Sequence, residues 1–153
     1  MEVWELACNS SIDLSKATKL RVVEFVARSH PKWITMTLKT VTDDNKSLEK
    51  ISICIDQLPD NPGGPPEQYE AYQELDSTLV QLWESRSIRP RLLYNSCPPR
   101  QGVRASVEDV FPELMKQGAA DLVDLVENGI NLSPWLQTSL SIEALLCCSS
   151  VAL

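Results

Sequence analysis

Apolar and polar positions along this chain repeat a short phrase. Leu20-Arg21-Val22-Val23-Glu24-Phe25 reads apolar-x-x-apolar-x-apolar, and Leu48-Glu49-Lys50-Ile51-Ser52-Ile53 reads the same way 28 residues later, Leu20 to Leu48. Both copies are rich in β-branched residues, which predicts strands over Leu20–Val26 and Leu48–Ile55. Between them Trp33, Ile34, Thr37, Leu38 and Val41 fall at spacings of one, three and four. That is one face of a helix of about three turns. Pro31 opens it where the missing N–H costs nothing, with Ser29 or His30 as a cap. Thr35, Thr37 and Thr40 lower its intrinsic propensity, so packing must hold it.

Further along, Gln57 to Gln68 holds Pro59, Pro62, Gly63, Gly64, Pro65 and Pro66 and reads as an exposed loop. A second helix is predicted over Tyr69–Ser85. Its apolar face is Tyr72, Leu75, Leu79, Leu82 and Trp83, with Glu70, Glu74 and Asp76 largely off that face. Arg91–Tyr94 is a third strand. Matching Tyr94 to Ile53 places this copy 41 residues on, as though the Pro/Gly loop were an insertion. Ser106-Val107-Glu108-Asp109 resembles a capping box and starts a helix that Gly118 breaks. Ala119–Glu127 reads as another short helix through Leu122, Val123, Leu125 and Val126. Residues 1–12 are weakly patterned and read as a cap on one end of the core, or as the remnant of an earlier repeat. Residues 131–153 read as a second cap or a loosely held tail.

A strand-sized phrase recurring at this period, with a helix between copies, indicates a short leucine-rich-repeat-like solenoid. The expected fold class is α/β, with parallel strands and helices on the convex side. The expected division is a repeat domain over 1–130 and a C-terminal segment over 131–153. In such a fold the repeated apolar positions point inward and the residues between them line the open sheet. Here those are Arg21, Val22, Glu24, Glu49, Lys50 and Ser52, joined by Arg91, and they form the candidate binding face.

Three segments carry a family resemblance: Asp13–Leu20, Trp33–Thr42 and Leu48–Ile53. They resemble parts of fungal leucine-rich-repeat proteins of the F-box type, and Leu75–Tyr94 and Phe111–Glu127 are similar to the later units of that family. The resemblance implies the substrate-recognition repeats of a ubiquitin-ligase adaptor, and thus a protein partner. An F-box is not found in these 153 residues, so the expected role is recognition alone.

Charge and chemistry narrow the alternatives. Net charge is −7 with a pI near 4.7. There is no basic cluster of the kind that binds nucleic acid or anionic membrane surfaces. No apolar run approaches the roughly 20 residues of a membrane span, and Met1–Glu5 does not read as a secretory signal. The cysteines, at 8, 54, 97, 147 and 148, are odd in number and form no CxxC pair. That argues against a disulfide framework or zinc site and for a cytoplasmic or nuclear setting. The single histidine, His30, reads as a helix lead-in residue rather than part of a triad. Asn61-Pro62-Gly63-Gly64 lacks the spacing and lysine of a phosphate loop. Arg86, Arg89, Arg91, Arg100 and Arg104 gather positive charge on the third unit and read as solvated or helix-terminal groups. Cys147-Cys148 and the terminal Val151-Ala152-Leu153 offer only weak acylation and carboxylate-docking signals. The expectation is a non-enzymatic interaction module with no cofactor, metal or catalytic residue. A small α/β enzyme with a site in the strand-end loops is the alternative, and a truncated paralogue without activity of its own is a third reading.

Overall fold

The computed structural model describes residues 2–6, 11–27, 31–55, 58, 66–94 and 107–124. Among them, one sheet is built from β1 (Glu2–Leu6), β2 (Leu20–Ala27), β3 (Lys50–Ile55), β4 (Arg91–Tyr94) and β5 (Asp121–Asp124). The strands lie side by side in chain order, and each neighbouring pair is parallel. The helices are α1 (Lys32–Leu38), α2 (Pro66–Arg86), α3 (Val107–Val110) and α4 (Pro112–Gln117). Parallel neighbours need crossover connections, which as a rule are right-handed. When every step goes the same way across the sheet, every crossover returns over the same face.

That face holds the core. Val23, Phe25, Ile51, Ile53, Ile55 and Leu92 are buried in one cluster with Trp33, Ile34 and Leu38 of α1, Leu75 and Leu79 of α2, and Phe111 and Leu114 beyond. Each such side chain stabilises the fold by roughly 1.5–3 kcal/mol when fully buried. Phe25 meets Trp33 edge to face at 5.7 Å, and Tyr72 meets Phe111 at 5.8 Å. The core thins at β5. Leu122 pairs in register with the fully buried Leu92, yet is 39% exposed.

Several expectations change. Glu2–Leu6, in the segment read as a cap or repeat remnant, is a strand paired with β2. The expected helix over Ala119–Glu127 is strand β5 over Asp121–Asp124. Its apolar spacing suits either element, and the free edge of β4 decides it: the Asp121 amide donates to the Pro90 carbonyl at 2.9 Å. Gly118, at φ +59°, ends α4 in the left-handed conformation and turns the chain toward that edge. The helix before it is divided in two at Phe111, just ahead of Pro112. The β2–β3 register keeps the 28-residue offset, Val22 opposite Lys50. The β3–β4 register does not keep the 41-residue one. Ile53 faces Leu92, 39 residues on, and Tyr94 faces Ile55. A slip of two preserves which face each side chain takes, so the apolar pattern alone could not separate 39 from 41. The segment 131–153 lies outside the described residues.

The turns that lead into the strands are joined by buried polar groups. Asn45 is 1% exposed. Its side-chain amide donates to the carbonyls of Leu14 at 2.8 Å and Ala17 at 3.1 Å, and its oxygen accepts the Thr42 amide at 2.8 Å. Arg86, at the end of α2, donates in turn to the Asn45 carbonyl at 3.1 Å and to the Thr42 carbonyl. One unit's turn is thereby tied to the next. Thr37 in α1 and Thr40 just past its end, poor residues for an isolated helix, serve the same end. Thr37 and Thr40 hydroxyls accept the amides of Ile12 and Leu14 at 3.0 and 2.8 Å.

Asp76, expected off the apolar face of α2, is 2% exposed. Its carboxylate accepts the Glu113 and Leu114 amides at 2.9 and 3.0 Å, capping α4 from another helix. Phe111, the residue at the cap position itself, makes no side-chain cap bond. Burial raises the Asp76 carboxyl above its ordinary value of 3.8; the two amides oppose the shift and the nearby Glu113 charge adds to it.

Asn45→Ala orphans a buried amide and should lower the unfolding free energy by about 1–3 kcal/mol in urea titration. A loss under about 0.5 kcal/mol, the scale of a featureless surface change, would mean that the turns are not coupled through it. Asp76 gives a pH-dependent prediction. A carboxyl held above its unfolded value contributes stability fully below 3.8 and loses it as pH rises through the raised folded value. The difference in stability between wild type and Asp76→Asn should therefore move in favour of the Asn variant as pH rises from below 3.8. A difference constant with pH would refute the shift.

Candidate binding face

The second face of the sheet is read directly from alternation and register. Side chains on either side of Ile51, Ile53 and Ile55 point away from the core. One row runs across the strands as Glu24, Ser52, Arg91 and Asp121. Before it stand Val22 and Lys50; after it come Val26, Cys54, Leu93 and Val123. The face is thus a charged row beside an apolar one. Adjacent strands are about 4.8 Å apart, so Glu24 and Arg91 flank Ser52 at a mutual spacing of about 10 Å.

Ser52 is the centre of this arrangement. It is 4% exposed, and its hydroxyl finds no hydrogen-bond partner. The hydroxyls of Thr35 and Tyr69 are also buried without a partner, but they belong to α1 and α2. Glu24, Lys50 and Arg91 are half-buried, and none pairs with a charged group among the described residues.

Arg21 and Glu49 behave differently. They sit side by side at the foot of β2 and β3, where the Glu49 amide donates to the Arg21 carbonyl at 2.9 Å. One guanidinium nitrogen of Arg21 reaches both Glu49 carboxylate oxygens, at 2.7 and 2.9 Å. This bond, with the Glu49 charge behind it, raises the Arg21 pKa. Their charges satisfy each other, so these two of the seven expected face residues are not free. Two residues outside the expected set belong beside it. Asp121 extends the central row and is held by Arg89 at 2.6 Å. Leu93 lines the apolar row, and strand parity alone marks it. Finding Asp121 required recognising β5 as a strand.

Of the arginines grouped on the third unit, Arg86 is committed to the turn carbonyls and lies 3.6 Å from Asp43. Arg89 is committed to Asp121, and Arg91 stands on the open face. Arg100, Arg104, His30 and Asn61–Gly64 lie outside the described residues, as do most of the strand-end loops in which an enzyme site was the alternative. On the helical side, an open depression of about 230 Å³ is lined by Lys32, Glu67, Glu70, Ala71 and Glu74. Glu74 is paired there with Lys39. Among the described residues no three His, Cys, Asp or Glu side chains gather into a metal-sized cluster. No described helix is long and apolar enough to cross a membrane.

No family model, curated protein or solved structure matches the chain.

The Arg21–Glu49 pair is solvent-exposed, so a double-mutant cycle with alanine should return a small coupling that fades in high salt. A larger, salt-resistant coupling would make the pair a structural clamp rather than a surface contact.

Proposed function

We propose that the chain is a short leucine-rich-repeat-like solenoid acting as a non-enzymatic protein-interaction module. Its open sheet face is the surface a protein partner occupies. One observation carries this reading. The described helices pack on one face of a parallel sheet built in chain order, while the other face presents Glu24, Lys50 and Arg91, which have no charge partners among the described residues, around an unsatisfied Ser52. Beside it the half-buried Leu93 and Val123 supply apolar surface that a partner can bury, next to the already buried Val26 and Cys54. The resemblance of Asp13–Leu20, Trp33–Thr42 and Leu48–Ile53 to F-box-type repeats favours a client protein of a ubiquitin ligase as the class of partner.

A photo-crosslinking amino acid placed singly at Val22, Leu93 or Met36 tests the assignment in cells. Met36 is an exposed apolar residue on α1, on the opposite side of the sheet. Discrete protein adducts are expected from positions 22 and 93 and not from 36. Adducts from 36 alone would move the interaction to the helical side.

A further inference from the structure

We propose that the centre of the open face, Lys50, Ser52 and Arg91, receives a side-chain carboxylate of the partner, while a cationic side chain of the same segment lies against Glu24. This inference rests on the reading of that face as protein-binding and adds the chemistry of what binds.

Beside the two cations stand Glu49, next to Lys50 in sequence, and Asp121, opposite Arg91 in register. Both are held by other groups, Glu49 by Arg21 at 2.7 Å and Asp121 by Arg89 at 2.6 Å. Lys50 and Arg91 are left over, and both stand beside Ser52, Lys50 two residues earlier on β3 and Arg91 directly opposite on β4. The unpartnered Ser52 hydroxyl between them can donate to an anion. A guanidinium, an ammonium and a hydroxyl donor on neighbouring positions of two adjacent strands form a carboxylate-recognition set.

Glu24 selects among anions and sets direction. It lies opposite Ser52 on the other side, one strand away. A dianionic phosphate would meet its repulsion twice over, and the chain's net charge of −7 works in the same sense. A single carboxylate is therefore favoured. Glu24 also lacks a charge partner among the described residues, so it is left for a base. The row reads negative to positive from β2 to β4, and the complementary segment carries its base and its acid about 10 Å apart in the opposite sense.

The test uses the full chain and a displayed library of random dodecapeptides. Enriched peptides should share an Asp or Glu together with a Lys or Arg. Lys50→Gln and Arg91→Gln should each weaken a selected synthetic peptide at least tenfold, with circular dichroism unchanged. Replacing the peptide's acid by its amide should weaken binding to wild type by a similar factor, but have little further effect on Arg91→Gln. Peptides that are lost on Leu93→Asp or Val22→Asp, yet change less than twofold with Arg91→Gln or with the amide, would overturn the carboxylate site and leave the binding face standing. Peptides insensitive to every one of these changes, or a library with no enrichment, would overturn both. A phosphoserine in place of the acid that binds tenfold more tightly would overturn the choice of carboxylate.

Discussion

A parallel strand satisfies its backbone only through its neighbours, and in this sheet each neighbour is the strand one unit before or after it in the chain. That pairing rule accounts for most of the architecture. The chain must return along the same side after every strand, so the helices accumulate there and bury one set of side chains. The opposite set is placed in straight rows. The rule also brings successive lead-in turns together, where their carbonyls and amides would be stranded without partners. Asn45 and Arg86 answer that problem with side-chain donors and acceptors directed at two consecutive turns.

The helical layer leans on tertiary contacts rather than on its own propensity. α1 has seven residues and two buried threonines, and α4 has six residues and no side-chain cap of its own. Isolated helices of that length are not stable in water. α1 is held because the hydroxyls of Thr37 and of Thr40, just past its end, accept amides of the segment ahead of β2. The exposed N–H groups of α4 are met by Asp76 from α2. The carboxylate pays for its desolvation there through two charge-assisted bonds, which removing one partner would strand.

The repeated phrase made β2 and β3 and their 28-residue register legible, because inward apolar side chains at the same offset can only stack. It made Glu24, Lys50 and Ser52 legible as face residues for the same reason. The relation of Arg91 to them was not. At the expected offset of 41, Arg91 would face Lys50 and Leu93 would face Ser52; at the observed 39, Arg91 faces Ser52 itself. The mutual pairing of Arg21 and Glu49 was present in the repeat, since they too are 28 residues apart. Asp76 was also readable, four residues after Tyr72 and three before Leu79, on the helix's apolar stripe. β5 was not, because Leu122, Val123, Leu125 and Val126 satisfy a helix as well as a strand. The hydrogen bonds that decide between them come from β4.

The offsets between neighbouring strands are unequal: Val3 to Val22 is 19 residues, Val22 to Lys50 is 28, Ser52 to Arg91 is 39 and Arg91 to Asp121 is 30. Strand spacing across the sheet is nonetheless set by the hydrogen bonds and stays near 4.8 Å. The return path can lengthen by about ten residues while the rows it connects keep their geometry, because closing a longer loop costs little. Front geometry and connection length are therefore decoupled. Insertions and deletions behind the sheet leave the rows on its front in place. A change of one residue within a strand, by contrast, rewrites the front at once, because it turns every later side chain of that strand to the other face.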